Sequence, residues 1–179
     1  AALEASKREL KITAEKEAKE FTERMEAGEP FMTTSCCPAY TETVKKHVPE
    51  LEKYVSETGS PMHYTGKLVR EEDPEACTVF IGPCVAKRNE ALRDSYIDYV
   101  MTAEELGAMF VAAGIEVGDC EDMLFEKPGE KTGRGFPVTA GVAAAVKAHL
   151  EEGIEVKPVL VDGLDSKAIK LMASYAKGK

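Results

Sequence analysis

The sequence predicts an α/β fold, a mainly parallel sheet of about four strands flanked by helices. Short runs rich in β-branched and aromatic residues alternate with longer amphipathic stretches, the pattern of strands joined through helices. Two cysteine-containing turns fall at the carboxyl ends of such runs, where open α/β sheets gather their ligands. A chain of 179 residues with 44% hydrophobic and 31% charged content is also long enough to bury a sizeable core in one globular domain.

The elements follow in order. Residues 1–27 read as a leading helix and 28–179 as the α/β body. From Leu3 to Ala27 the residues are mostly Ala, Glu, Lys and Arg, and Leu10, Ala14, Phe21 and Met25 give a thin apolar stripe, as on an exposed helix. Gly28 and Pro30 end it. Pro30 to Thr34 is extended and delivers the chain into the turn Ser35-Cys36-Cys37-Pro38. Ala39 to Lys46 is helical with Pro49 as its limit, and a second amphipathic piece with Leu51, Tyr54 and Val55 runs toward Gly59-Ser60-Pro61. Met62 to Arg70 is a further helix. Cys77 to Ile81 is a buried strand between Pro74 and Gly82-Pro83, and its carboxyl end lands on Cys84. Val85 to Leu92 is helical, Ile97 to Met101 is a third strand, and Thr102 caps a helix from Ala103 to Ala113 that Gly114 closes. Val117 to Pro137 is an irregular stretch of the length that lines sites or moves. Ala140 to Glu151 is a helix, Val156 to Val161 a fourth strand and Ser166 to Ala176 a last helix.

The net charge of −9 argues against a nucleic-acid groove. Neither an apolar run of spanning length nor a basic, apolar leader is present, so the expectation is no membrane segment, no export and a cytoplasmic location. The chain opens at Ala1 without an initiator methionine and stops at Lys179 just after a helix, so both ends read as cut. The five cysteines, Cys36, Cys37, Cys77, Cys84 and Cys120, are an odd number without a secreted disulfide framework, which leaves metal binding or buried thiols.

Thiolates hold iron-sulfur clusters, and a cysteine beside proline at a strand end can point its sulfur into a pocket that excludes water. Cys37-Pro38 and Pro83-Cys84 both have that form. Because 47 positions separate them, no local C-x-x-C clamp exists, and on spacing alone buried structural thiols are the favoured reading. His47, His63 and His149 have no metal-ligand spacing. Lys87, three residues after Cys84, lies on the same side of a helical turn, and Glu90 is three further on, able to pair with Lys87 or Arg88. Glu17, Glu20 and Arg24 share one face of the first helix.

Thr34-Ser-Cys-Cys-Pro-Ala-Tyr40 and Phe80-Ile-Gly-Pro-Cys-Val-Ala-Lys-Arg-Asn-Glu-Ala91 resemble the first two signatures of iron-only hydrogenases. Asp98 to Leu106 and Gly133 to Val142 are similar to later segments of that family. The resemblance covers nearly the whole chain and implies one lobe, or part of a two-lobe hydrogenase H-domain. It implies proton reduction and hydrogen oxidation at an H-cluster, a 4Fe-4S cubane joined to a diiron subcluster, with ferredoxin or linked iron-sulfur domains as electron partners. Carried over residue by residue, Cys37 and Cys84 become two of the four cubane ligands and Cys36 the thiol that relays protons. Lys87 becomes the partner of a cyanide on the diiron unit, and Ser60 lies in the segment beside the cluster. Glu17, Ser56, Glu20 and Arg24 become an acidic proton path running outward in that order; a plain charged helix face is the competing reading of those residues.

The chain departs from the family in three places. The C-x-G-G-C signature that supplies the other two cubane ligands is absent, so the expectation is a chain that by itself holds no stable cubane, with the remaining hydrogenase sequence as its partner. Gly82 stands where many catalytic members carry methionine, which opens space beside the site. Tyr40 replaces a tryptophan. The alternative is a non-catalytic hydrogenase-like protein for sensing or cluster assembly. Cys77 reads as core, and Cys120 matches no ligand position.

Overall fold

The computed structural model describes residues 2–122, 135–151 and 153–178, and side chains from Lys11 onward. The leading helix α1 spans Ala2–Glu26 and stops at Gly28, whose φ of +85° is a conformation that side chains resist. It is not an exposed helix as its composition suggests. Thr13, Ala14, Glu17 and Ala18 are buried where α1 packs against α3 (Pro61–Glu72) and α6 (Gly141–Lys147). These residues are spaced one, three and one apart, so one helical face carries them all. Leu10 of the expected stripe lies outside the described side chains.

After α1 comes α2 (Pro38–His47), with Cys37 at its N-cap and Pro38 at its first position, where the missing N–H costs no hydrogen bond. A 3₁₀ turn over Pro49–Tyr54 takes the place of the second amphipathic piece. Val44, Val48, Leu51 and Met172 form one core, with Met172 supplied by α7 (Ser166–Ala176) and Phe31 stacked on Tyr54 at 4.4 Å between centroids. Ala14, Phe136 and Ala145 form another, with Cys36 against it.

Of the strands, β1 (Val79–Gly82) and β2 (Tyr99–Thr102) pair in parallel, Val79 opposite Tyr99 and Gly82 opposite Thr102. The expected parallel α/β arrangement is present, but the count of four strands is not: these two are the strands among the described residues. Pro30 to Thr34 contributes a single bridge, Thr33 to Val55, and Val156 to Val161 forms no strand. Strand propensity is realised only against a partner edge, and Pro158 removes an N–H from the middle of the last run. Val79, Ile81 and Tyr99 are 46%, 45% and 62% exposed, so one apolar sheet face is open.

Short α4 (Lys87–Ala91) starts later than expected, because Cys84 to Ala86 form turns in which Lys87 N–H bonds the Cys84 carbonyl at 3.2 Å. Helix α6 ends before Glu151, because the His149 ring meets the Ala145 carbonyl at 2.8 Å while its N–H turns to Val146. Cys77 is exposed rather than core, since the inward position belongs to Thr78, whose hydroxyl donates to the Tyr96 carbonyl at 2.7 Å. Gly66 lets α3 approach the segment before β2, where a Cβ would lie 2.7 Å from the Tyr96 carbonyl oxygen. Part of the irregular stretch from Val117 to Pro137, including Gly133 and Arg134, lies outside the described residues.

Helix α5 (Ala103–Ala112) begins with a capping box. The Glu105 N–H donates to Thr102 Oγ1 at 3.1 Å, and the Glu105 carboxylate accepts from the Thr102 N–H at 2.8 Å. Thr102→Ala is expected to lower stability by about 1 kcal/mol, measured by urea unfolding, and Thr102→Ser to retain most of it.

Candidate functional site

Two polar clusters lie on either side of the Cys36-Cys37 turn. The outer one is held by the Thr33 to Val55 bridge, in which Thr33 N–H donates to the Tyr54 carbonyl and Ser56 N–H to the Thr33 carbonyl, both at 2.8 Å. That pairing places buried Ser56 against α1. Its hydroxyl donates to Glu20 Oε2 at 2.6 Å, and the Glu57 N–H and Thr58 hydroxyl donate to the same carboxylate at 2.9 Å. Arg24 reaches Glu20 at 2.8 Å and is itself held by the Lys53 and Val55 carbonyls. Burial pushes the Glu20 carboxyl up, but the bonds from Ser56, Glu57 and Thr58 and the charge of Arg24 outweigh it and hold Glu20 below the usual carboxylate range.

One turn earlier on α1, Glu17 is fully buried. Its Oε1 accepts the Ser35 N–H at 3.1 Å, whereas Oε2 has no hydrogen-bond partner among the described residues. Burial drives the Glu17 carboxyl up to about 7, against the Ser35 bond and with help from the charge of Glu20. The two glutamates are therefore pushed apart, the inner one able to keep its proton near neutrality and the outer one ionised. Ser56 bonds Glu20 directly but not Glu17.

Cys36 packs against the core of Ala14, Phe136 and Ala145, and its thiol is pushed up to about 12 by burial and by the charges of Glu17 and Cys37, against Lys87. It is a neutral thiol, a holder of a proton. Cys37, its neighbour, is exposed, and Cys84 is half-buried in the turn after β1. Adjacent residues thus face different surroundings, as a turn dictates.

Lys87 links the two cysteine turns. Its ammonium donates to the Glu90 carboxylate at 2.7 Å, to Ser60 Oγ at 3.2 Å and to the Cys36 carbonyl at 3.5 Å. Ser60 also donates to Glu90 and caps α3, accepting the His63 N–H. The structure selects Lys87 as the partner of Glu90; Arg88 turns outward to Glu105. Beside this cluster is a cavity of about 310 Å³ lined by residues including Ser35, Ser60, Glu90 and His63, whose Nδ1 lies 2.9 Å from Asp94.

Among the described residues no three His, Cys, Asp or Glu side chains converge as a metal centre. Cys37 and Cys84 are free thiols, Cys37 exposed and Cys84 half-buried, with the donor chemistry a cubane takes. Sequence reading missed Ser35 and Thr58. Thr58, two residues after Ser56, could have been found as a second hydroxyl in the same short loop; the Ser35 contribution is a backbone N–H and leaves no trace in the sequence. No described helix is long and apolar enough to cross a membrane.

Comparison with known proteins extends these local observations to the whole chain. It is 32% identical over 180 residues to the periplasmic Fe hydrogenase large subunit of Nitratidesulfovibrio vulgaris, covering 89% of this chain and 42% of that one. It is 32% identical over 90 residues to the cytosolic Fe-S cluster assembly factor NAR1 of Kluyveromyces lactis, 49% of this chain and 19% of that one. A structure of a variant of the FeFe-hydrogenase HydA1 from Chlamydomonas reinhardtii superposes with a TM-score of 0.60 at 29% identity, covering 83% of this chain and 42% of that chain. The chain spans less than half the length of these relatives. The family profile described as the iron only hydrogenase large subunit, C-terminal domain, matches residues 6–178, and the chain belongs to that family.

Proposed function

We propose that this chain is part of the H-domain of an iron-only hydrogenase that interconverts protons and hydrogen with ferredoxin-type electron carriers. In this reading Cys37 and Cys84 hold two of the four cubane irons' thiolate positions. When bound, the H-cluster supplies the redox chemistry. The residues of the chain do the rest. Lys87, oriented by Glu90 and Ser60, offers an ammonium to an anionic ligand of the diiron unit, and Cys36 holds a proton beside it. Glu17, Ser56 and Glu20 pass protons between that thiol and the surface, with Arg24 paired to Glu20 at the exit.

The observation that carries this reading is the set of polar groups on and beside α1: a buried glutamate with a proton affinity near neutrality and, one turn on, an ionised glutamate held by the Ser56 hydroxyl and Arg24. Proton relays need closely spaced groups that can both accept and donate a proton. A protein that only binds or assembles clusters uses Cys37 and Cys84 but has no use for these groups or for Cys36. The NAR1 likeness supports that second reading, which predicts cluster binding without hydrogen chemistry.

The test is a chain completed with a C-x-G-G-C segment, loaded with iron and sulfide and matured with a diiron unit. One 4Fe-4S cluster per chain together with hydrogen evolution from a reduced carrier is the expected result. A full cluster complement with no hydrogen evolution favours the assembly or sensing reading instead. The 179-residue chain alone is expected to retain far less than one cubane after desalting, measured by iron analysis, because two thiolates leave half of the cluster's positions open.

A further inference from the structure

The glycine at position 82 does not leave the space beside the site empty. A Cβ built on Gly82 would lie 2.8 Å from Cε1 and 3.0 Å from Cζ of Phe80. Phe80 and Gly82 are two residues apart on β1, so both lie on the same side of the strand, and the Phe80 ring leans along it over the glycine. The same ring faces the site: the Lys87 ammonium lies over it, 5.8 Å from the centroid. The ammonium also donates to Glu90, Ser60 and the Cys36 carbonyl.

We propose that Phe80 is a positioning residue of this site, its ring filling the volume above Gly82 and supporting the Lys87 ammonium, so that any side chain at position 82 acts on Lys87 through the ring. The physical basis is the order in which parts yield. The atoms a Cβ would meet are the far end of a side chain with two rotatable bonds, not backbone, so the ring moves before β1 does. A ring displaced from Gly82 loses its place under Lys87, where a cation over an aromatic face is attracted to it. Position 82 and position 80 are therefore coupled, and Lys87 reports the coupling. The inference deepens the proposed role of Lys87, but its test reads the geometry of the chain and is independent of hydrogen turnover.

The experiment uses the 179-residue chain with lysine labelled at Cε, the Lys87 signal being assigned with Lys87→Arg. Gly82→Ala is expected to displace the Lys87 methylene resonance and to lower the melting temperature by a few degrees. In a Phe80→Leu background, where the ring-current shift is already lost, Gly82→Ala is expected to leave the Lys87 signal unmoved. Phe80→Tyr, which keeps the ring, is expected to restore both the signal and its response. Equal displacement in the two backgrounds, or none in either, overturns the proposal, because a backbone effect of Gly82 would not depend on Phe80. If Gly82→Ala does not fold, Phe80→Leu alone decides: an unchanged Lys87 resonance places the ring away from the ammonium and rejects the idea.

Discussion

Cys36→Ala in the completed, matured domain is expected to lower hydrogen turnover by about 100-fold or more, the usual worth of a positioned proton donor, with iron content unchanged. Iron is retained because the change leaves the Cys37 and Cys84 thiols in place. Turnover falls because the thiol packs at the head of the α1 chain, against the core that holds Ala14 and within the field of Glu17. The half-buried thiol keeps its proton until a stronger base takes it, which suits a donor that is reloaded from Glu17. Cys36→Ser is expected to recover little, since a hydroxyl is a much weaker acid than a thiol. Unimpaired turnover in the alanine variant would remove Cys36 from the relay and shift attention to the Lys87 and Glu90 side of the site.

The second large effect is on stability and comes from Glu17. Its carboxyl titrates near 4.5 when exposed and at about 7 in the folded chain. Between those values the folded state binds more protons than the unfolded state, so stability falls as pH rises from about 4.5 to about 7 and is level above. The gap corresponds to about 3 kcal/mol as an order of magnitude. Glu20, held low, contributes the opposite slope, stability present at neutral pH and lost as pH falls, so the wild-type profile alone mixes the two. Glu17→Gln isolates the first: relative to wild type it is expected to gain about 2–3 kcal/mol more at pH 8 than at pH 5 in urea unfolding, since no carboxylate need then be buried charged. Parallel pH profiles for the two proteins would show that Glu17 is not the buried acid described above. The same substitution in the completed domain removes a proton-bearing group from the relay, so stability rises where activity falls, a trade expected when a buried acid is kept for function.

Much of this was legible in the sequence because it depends on neighbours along the chain. The cap at Thr102 and the helix stop at Gly28 are local, set by a spacing of three residues or by backbone that only glycine adopts cheaply; the same spacing offered Glu90 both Lys87 and Arg88, and the fold chose Lys87. The two cysteine turns could be picked out for the same reason, and their likeness to hydrogenase signatures gave the family that the whole-chain match bears out.

What the tertiary structure decided depends on partners distant in sequence. Whether a β-rich run becomes a strand is settled by an available edge, so Val79 to Gly82 pairs while Val156 to Val161 does not. Burial is likewise a property of packing: α1 has the composition of a solvated helix, and only its contact with α3 and α6 turns Glu17 from one of many surface acids into a buried group near neutrality. The space at Gly82 read as open from one position and is filled from another, by the Phe80 ring. By itself, then, the sequence determined the family, the local turns and caps and the candidate thiols. The fold decided which glutamate keeps a proton, which carbonyl and hydroxyl hold Lys87 and which side chain stands beside it, because desolvation and close contact arise only when distant segments meet.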